Sequence, residues 1–272
     1  MNILVFFAIL SIASGQNVPS SCNNEGEIAF TFDQGPSYYT GVLLNILKKH
    51  EAKVAFHVTT EYLQNPAIMA YLRSASRDGH IVGLFINENV TLDSVSDYLK
   101  NKTSIIERFT GQKVVFLRFA LPLPSNDILA KINQLGYIVT TYNLDSKDYS
   151  FQTSVPGWNP IYDEFKRQLD QIVEPARGAF IVVQRDLIAP SVNQTDMMIE
   201  YAKKKGYRPV RLDQCLGLKS TSIPTDNSPK DNPTGLDPPE APLTEPKKSS
   251  SMKNSSIALA LLYIQLLAFM LL

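Results

Sequence analysis

Polar and charged side chains follow the apolar runs of this 272-residue chain at regular intervals. They are Asp33-Gln34, Phe85 to Asn89, Arg118, Asp145 and Arg185-Asp186. Carboxylates and guanidinium groups in one place can move protons, bind cations or stabilise developing negative charge. If the apolar runs are parallel strands, their carboxyl ends meet at one edge, so these side chains share a single site.

The apolar runs themselves are predicted to be β-strands. They are short and rich in β-branched or aromatic residues, and segments with helical periodicity separate them. The predicted strands are 28–32, 54–58, 81–85, 114–117, 137–142, 180–183 and 209–212. Repeated βα units imply parallel strands with right-handed crossovers. Seven strands without a G-x-G-x-x-G after the first predict an α/β fold of the closed or nearly closed barrel type.

Short motifs in the same segments resemble the signature of the polysaccharide deacetylase (NodB-homology) family. They are TFDQGP at 31–36, GHIVGLF at 79–85, LRF at 117–119, YNLDSKDY at 142–149, FIVVQRDL at 180–187 and QCLG at 214–217. The resemblance covers about residues 22–217 and is greatest to fungal-type chitin deacetylases, microsporidian ones included. The resemblance implies a distorted (β/α) barrel of about seven parallel strands that removes acetyl groups from N-acetylglucosamine polymers such as chitin.

The resemblance also implies a role for each matching position. Asp33 stands at the position of the general base and is retained, whereas Gln34 replaces the metal-binding Asp. The two metal-binding histidines are replaced by Phe85 and Asn89, and the general-acid histidine is replaced by Arg185. The family's supporting residues are matched by Arg118, Asp145 and Asp148.

These replacements predict that the divalent metal of the family, usually zinc, is absent, and no other cofactor is expected. Zinc is held by imidazole, thiolate and carboxylate groups, which an amide and a benzyl ring do not supply. Arg185 stays protonated and cannot give a proton to a leaving amine. We hypothesise that Arg118 and Arg185 bracket Asp33 and Asp145 as fixed ion pairs, which would lower the pKa of Asp33.

The three histidines offer no obvious replacement for the lost ligands. His50 is predicted to end a helix, and His80 matches a family histidine that does not bind the metal and is expected to be structural. His57 lies inside the second predicted strand. It is interpreted as a packed strand residue, with a ligand facing the barrel interior as the alternative.

Two classes of function remain. The first is a non-catalytic cell-wall or surface protein that has lost deacetylase activity and binds chitin or another N-acetylglucosamine polysaccharide, or coats the cell. The second is a hydrolase that removes N-acetyl groups through a non-standard site. Tyr38, Tyr149 and Trp158 are candidate sugar-stacking residues, with loop packing as the alternative. Nucleic acid is excluded as a partner because 26 basic residues balance 26 acidic ones.

The two ends of the chain predict its location. Residues 1–15 read as a signal peptide, or else as a buried amphipathic helix. The deacetylase-like domain covers 16–217, and the proline- and serine-rich segment 218–256 is expected to be a disordered stalk. Residues 257–272 read as a GPI-anchor signal, or else as a tail-anchored helix. The expected protein is secreted and held by its lipid anchor between plasma membrane and cell wall.

The predicted secretion makes a disulfide and N-linked glycans possible, and two cysteines and three sequons of the domain are candidates for them. Cys22 and Cys215 bracket the domain, and an oxidising compartment favours their pairing, with two buried free thiols as the alternative. Asn89, Asn101 and Asn193 begin N-x-S/T sequons and are candidate glycosylation sites. A glycan on Asn89 would block the mouth of the barrel.

Overall fold

The computed structural model describes residues 17–153, 155–172, 174 and 176–219. The predicted signal peptide, the anchor signal and residues 220–256 of the predicted stalk therefore lie outside the described residues. Within the described ranges, no helix has both the length and the apolar character needed to cross a membrane.

Parallel strands form a single curled sheet. The strands are β1 (Glu27–Asp33), β2 (Ala55–Val58), β3 (Ile81–Ile86), β4 (Phe116–Phe119), β5 (Ile138–Val139), β6 (Leu144–Asp145), β7 (Phe180–Arg185) and β8 (Arg208–Pro209). Their spatial order is β5-β4-β3-β2-β1-β7-β6, and β8 pairs with the start of β1. The predicted barrel of about seven parallel strands is thus confirmed, as an open barrel whose path ends at β5 and β6.

Helices follow most of the strands and cover the outside of the sheet. They are α1 (Thr40–Lys49), α2 (Pro66–Arg77), α3 (Val95–Thr110), α4 (Asn126–Gln134), α5 (Pro160–Asp170), α6 (Ala189–Lys204) and α7 (Leu212–Cys215). Two single 3₁₀ turns, Glu61–Gln64 and Asp148–Ser150, lie after β2 and β6. Helices α1 to α6 return the chain to the amino-terminal end of the barrel, so the loops that lead into them from the strands lie at the opposite end, the mouth.

Two of the predicted strands are wrong in extent, and one strand was not predicted. The predicted strand 137–142 shrinks to the two residues of β5, and the next two-residue strand, β6, carries Asp145 at its end. The predicted strand 209–212 contributes only Pro209, because Leu212 begins α7. These are short edge pairings, for which the hydrophobic period gives little signal.

Alternation along the strands separates two apolar layers. Phe30 and Phe32 of β1 point outward and join the large core under the helices, whereas Ala29 joins a smaller cluster inside the barrel. The same alternation points Thr31 and Asp33 inward. The inner apolar cluster fills one end of the barrel. Asp33 is the last residue of β1, so its polar side chain lies at the other end.

The predicted disulfide between Cys22 and Cys215 is present, with the sulfur atoms 2.18 Å apart. It ties the segment before β1 to the end of α7 and lies in the inner apolar cluster. The bond closes a loop with a sequence separation of 193 residues, so it links the two ends of the described domain.

Candidate functional site at the barrel mouth

Asp33 is held from both sides at the end of β1. Its Oδ1 lies 3.0 Å from Nδ1 of His57 on β2, and its Oδ2 lies 3.5 Å from Nη1 of Arg118 on β4. Only 3% of the residue is exposed. Burial opposes ionisation, but Arg118 and the His57 hydrogen bond outweigh it and hold the pKa of Asp33 below its ordinary value. The predicted pKa shift is confirmed in direction.

His57 is fully buried and faces the barrel interior. Its ring fits there because Gly83 stands beside it on β3: a Cβ at Gly83 would lie 3.0 Å from Cδ2 of His57 and 2.5 Å from the carbonyl oxygen of Phe116. Burial, aided by the charge of Arg118, lowers the pKa of His57, so the ring is neutral. The packed position was predicted, but the contact with Asp33 was missed.

Arg118 spans the barrel beneath Asp33. Its Nη2 donates to Thr31 Oγ1 and Thr140 Oγ1, each at 3.4 Å, and its guanidinium lies 5.5 Å from the ring centre of Tyr142. Only 1% of the residue is exposed. Arg118 therefore acts as a fixed internal cation that binds Asp33, as the sequence predicted.

Arg185 does not bracket Asp33 or Asp145, and that part of the prediction is wrong. Its Nη1 donates to Oδ1 of Asp148 at 2.6 Å, and its backbone N–H donates to Oδ2 at 2.5 Å. Ser191 adds a third bond to the same carboxylate at 2.7 Å. Arg185 binds Asp148 because the 3₁₀ turn after β6 places Asp148 beneath the end of β7, where it is fully buried.

Asp145 ends β6 and keeps its carboxylate partly exposed. It accepts from the backbone N–H of Lys147 at 2.9 Å and from the hydroxyl of Tyr149 at 3.4 Å. Both donors are neutral. In the part of the chain that the structure covers, Asp145 has no ion-pair partner, because Lys147 pairs with Glu164 at 2.9 Å and Arg185 with Asp148.

Asp186 is a buried carboxylic acid between the first and last mouth loops. Its Oδ2 accepts from the hydroxyl of Thr40 at 2.5 Å, and its backbone carbonyl accepts from Ser37. A Cβ at Gly35 would lie 2.0 Å from its Oδ1, so only glycine fits there. Burial raises the pKa of Asp186 to about 7, against the opposing hydrogen bond from Thr40.

The three positions that correspond to metal ligands do not form a metal site. Gln34 is half-buried with φ of 72°, Phe85 is 5% exposed on β3, and Asn89 is exposed in the loop that follows. An amide oxygen, a benzyl ring and a second amide lack the charge and the lone pairs that hold zinc. The residues present therefore do not fit the divalent ion that the resemblance implies.

A second cluster, outside the barrel, has side chains of the metal-binding type. His50, Asp196 and Glu200 place one ligand atom each within 4.8 Å of one another. His50 caps the end of α1, as predicted, and its Nε2 lies 2.7 Å from Oδ1 of Asp196. Lys49 Nζ already contacts Asp196 at 2.7 Å and Glu200 at 3.3 Å. The prediction that the protein has no metal stays a prediction.

His80 has the structural position that the sequence predicted. It is 2% exposed, and its Nδ1 accepts from the backbone N–H of Val54 at 3.2 Å. Burial lowers the pKa of His80 to about 3. His80 is a neutral ring that accepts a backbone hydrogen bond far from Asp33, so it does not belong to the candidate site at the mouth.

Exposed apolar side chains surround the mouth. Most of the large exposed ones lie between the end of a strand and the next helix: Tyr38, Tyr39, Tyr62, Leu92, Leu121, Tyr149, Val155 and Trp158. Tyr38 is held by a 2.7 Å hydrogen bond from Asn65. Trp158 is 49% exposed and packs edge-on against Phe151. The three predicted sugar-stacking residues, Tyr38, Tyr149 and Trp158, are therefore all accessible.

The three sequon asparagines are exposed, as a glycan would require. Asn89 lies in the mouth loop after β3, whereas Asn101 lies on α3 and Asn193 on α6. Their glycosylation stays a prediction.

The chain is similar in sequence and fold to known polysaccharide deacetylases. Residues 20–140 match the family model described as polysaccharide deacetylase. The described part of the chain therefore contains a polysaccharide deacetylase domain, with fungal chitin deacetylases among its homologues. It is 28% identical over 209 residues to the chitin deacetylase of Colletotrichum lindemuthianum, covering 72% of this chain and 82% of that protein. The solved structure of the enzyme from that fungus aligns with a TM-score of 0.67 and 26% identity, over 75% of this chain and 92% of that one.

One structural neighbour is a pseudoenzyme. A CE4 family pseudoenzyme from Bacillus anthracis aligns with a TM-score of 0.60 and 18% identity, over 72% of this chain and 66% of that chain. A mutant of that protein is described as having restored enzymatic activity. At this identity the likeness shows a shared fold.

Proposed function

We propose that this protein is a non-catalytic member of the polysaccharide deacetylase family that binds chitin or a related N-acetylglucosamine polysaccharide at the cell surface. The observation that carries the proposal is that the Asp33 carboxylate is buried and bound at both oxygens. Its two oxygens are bound by His57 and Arg118, and it is almost fully buried. A carboxylate that is almost fully buried and bound at both oxygens is poorly placed to activate a water molecule.

The remaining groups do not supply the other parts of amide hydrolysis. The reaction needs a polarised carbonyl and a protonated leaving amine. Gln34, Phe85 and Asn89 do not hold a Lewis acid, and Arg185 keeps its proton at every working pH. Arg185 is moreover bound to Asp148 at 2.6 Å, so its charge is already compensated.

The accessible aromatic residues of the mouth support a binding role. Tyr38 and Trp158 lie on different mouth loops, and each exposes about half of its surface or more, 60% and 49%. Aromatic rings of this kind stack on the apolar face of a pyranose, so a polysaccharide can be held without any chemistry at its acetamido group. The similarity to a chitin deacetylase makes chitin the first ligand to test.

The alternative is a hydrolase that removes N-acetyl groups from chitin-like polysaccharide through a non-standard site. Its support is the presence of Asp33, Arg118 and Asp145 at family positions. The contact between Asp33 and Arg118 inside the barrel supports a structural role for these two residues. We therefore favour the non-catalytic function.

Acetate release and metal content test the proposal together. Protein expressed in zinc-supplemented medium is expected to contain no stoichiometric zinc and to release acetate from chitin oligomers no faster than Asp33→Asn. A variant with Gln34→Asp, Phe85→His, Asn89→His and Arg185→His restores the family's donor set and is expected to bind zinc. Stoichiometric zinc in the wild type, or acetate release above the Asp33→Asn control, overturns the proposal.

We also propose that the protein is secreted and GPI-anchored between plasma membrane and cell wall. The Cys22–Cys215 disulfide supports an oxidising compartment. The sequences of residues 1–15 and 257–272 support export and a lipid anchor. Release of the protein from cell surfaces by a phosphatidylinositol-specific phospholipase tests the anchor, and retention after treatment contradicts it.

A further inference from the structure

The positive charges of the mouth are all matched by carboxylates. Each arginine or lysine near the carboxyl ends of β4, β6 and β7 has an acidic partner within 3.5 Å: Arg118 with Asp33, Lys147 with Glu164, and Arg185 with Asp148. None of these cations pairs with Asp145, the carboxylate at the end of β6. Within the residues that the structure describes, the partly exposed Asp145 is an anion to which no cation is bound.

The surroundings of Asp145 hold this carboxylate in place without neutralising it. The backbone N–H of Lys147 fixes one oxygen at 2.9 Å, and the hydroxyl of Tyr149 approaches the other at 3.4 Å. The carbonyl oxygen of Asp145 accepts from Gln168 at 2.7 Å, which fixes the backbone as well. A preorganised anion of this kind loses little conformational freedom when it binds a cation.

One exposed aromatic side chain, Tyr149, contacts Asp145, and a second lies further along the same loop. Tyr149 is 46% exposed, and Trp158 is 49% exposed on the same loop between β6 and α5. The guanidinium of Arg185 lies 4.9 Å from the ring centre of Tyr149 and orients it from one side. A carboxylate beside exposed aromatic rings matches a ligand that has an apolar ring face and a positive charge.

We propose that the mouth beside Asp145 binds a pyranose with a free ammonium group in preference to the same sugar in its N-acetyl form. The inference rests on the proposed polysaccharide-binding function and names the form of sugar that is bound. The ammonium pairs with Asp145, and the sugar ring packs against Tyr149 or Trp158. An acetamido group is neutral and leaves the charge of Asp145 uncompensated. The preferred polymer is then one whose acetyl groups have already been removed, which is the product that catalytic relatives form.

Paired titrations test this preference. Tetramers of glucosamine and of N-acetylglucosamine are titrated into the full-length protein near pH 6, about two units below the pKa of an α-amino group. Calorimetry measures the affinity. We expect the glucosamine tetramer to bind about three- to tenfold more tightly at low salt, as a partly exposed ion pair allows. The preference should shrink as salt screens the pair.

Two substitutions separate this ion pair from general electrostatic attraction. Asp145→Asn keeps an oxygen for the N–H of Lys147 and is expected to abolish the preference. Asp78→Asn removes the same charge from an exposed position at the end of α2, at the other end of the barrel, and should leave the preference unchanged. If Asp145→Asn fails to fold, Asp145→Glu keeps the charge but displaces it by one methylene group, and it should reduce the preference without abolishing it.

The outcomes distinguish this inference from the proposed function. Equal affinity for the two tetramers, tighter binding of the N-acetyl form, or an unchanged preference in Asp145→Asn overturns the inference and leaves polysaccharide binding intact. Absence of binding by either tetramer overturns the sugar-binding function itself, and the inference with it.

Discussion

Asp33 and His57 form a buried hydrogen bond, 3.0 Å from Oδ1 to Nδ1, between neighbouring strands at the mouth of the barrel. The carboxylate at the family's general-base position is thus bound by an imidazole that has no exposed surface. Arg118 occupies the other oxygen. Inside the barrel, Asp33 therefore has one neutral partner, His57, and one charged partner, Arg118. We expect these contacts to affect mainly the free energy of unfolding.

Replacing His57 is expected to destabilise the fold through Asp33. His57→Phe keeps a ring beside Gly83 but leaves one oxygen of the buried carboxylate without its partner, at a cost of about 1–3 kcal/mol. Urea unfolding at neutral pH measures this loss. In a double-mutant cycle with Asp33→Asn, we expect a coupling free energy of about 1 kcal/mol or more. Additive effects of the two substitutions would contradict the contact.

The buried acid Asp186 gives stability a dependence on pH. Because its pKa is raised to about 7 from an ordinary 3.8, the folded protein binds a proton that the unfolded chain has lost, and stability falls as pH rises between these values. Asp186→Asn cannot ionise and keeps an acceptor for Thr40. We expect this variant to exceed the wild type by up to about 4 kcal/mol at pH 8 and to gain nothing near pH 4.

Urea unfolding of both proteins across this pH range is the measurement. His80, with its pKa lowered to about 3, imposes the opposite slope, since stability is lost as pH falls below 6.5. This contribution is common to both proteins, so the difference between them isolates Asp186. A difference that does not change with pH would show that Asp186 does not titrate in this range.

The Arg185–Asp148 pair is expected to be structural. Asp148→Ala removes an acceptor that binds Arg185 twice and Ser191 once, and we expect a loss of about 2–4 kcal/mol in the free energy of unfolding. The matched control is Glu25→Gln, at an ion pair with Arg177 in which both side chains are 64% exposed. Equal unfolding midpoints for the two variants would rule out a structural role for Asp148.

The disulfide is expected to make a large contribution to stability. A bond that closes a loop of this length is worth roughly 5 kcal/mol in the chain-entropy model. The double variant with Cys22→Ser and Cys215→Ser should lower the unfolding midpoint in urea, and a reducing agent should lower that of the wild type to the same value. A reducing agent that lowers the midpoint of the double variant equally would indicate another cause.

Trp158 is a built-in probe for ligand at the mouth, because it is the single tryptophan of the chain. Binding of a chitin or chitosan oligomer next to it is expected to change its fluorescence. Trp158→Ala should weaken binding about tenfold, as loss of an aromatic stacking contact allows. Leu135→Ala, at an exposed residue after α4, is the control and should bind normally. Binding detected by calorimetry without a fluorescence change would place the sugar elsewhere.

Much of the fold could be predicted from the sequence because its signals are local. The residues of β1, β2, β3 and β7 are mostly apolar, and the strand boundaries are right to within two residues there. The two-residue strands β5 and β6 are set by pairing with their neighbours, so their extent was wrong or missed. Cys22 and Cys215 could be paired because the described part of the chain has no other cysteine.

The site was predictable as a set of positions but not as a set of contacts. The motifs located Asp33, Arg118, Asp145 and Arg185 at strand ends, and alternation along β1 directs Asp33 inward. Which partner each one binds depends on strand register. Asp33 lies level with both His57 and Arg185 in the two adjacent strands, yet Arg185 turns to Asp148.

The amino-acid sequence by itself determined the alternation of most strands and helices along the chain and the chemistry missing from the family's ligand positions. These follow from side-chain type and from periods of two or about 3.6 residues. The tertiary structure alone decided that His57 binds the carboxylate of Asp33 and that Asp145 has no ion-pair partner among the described residues. Such pairings arise between strands and loops far apart in sequence, so they depend on the curvature and register of the folded sheet, which no local pattern encodes.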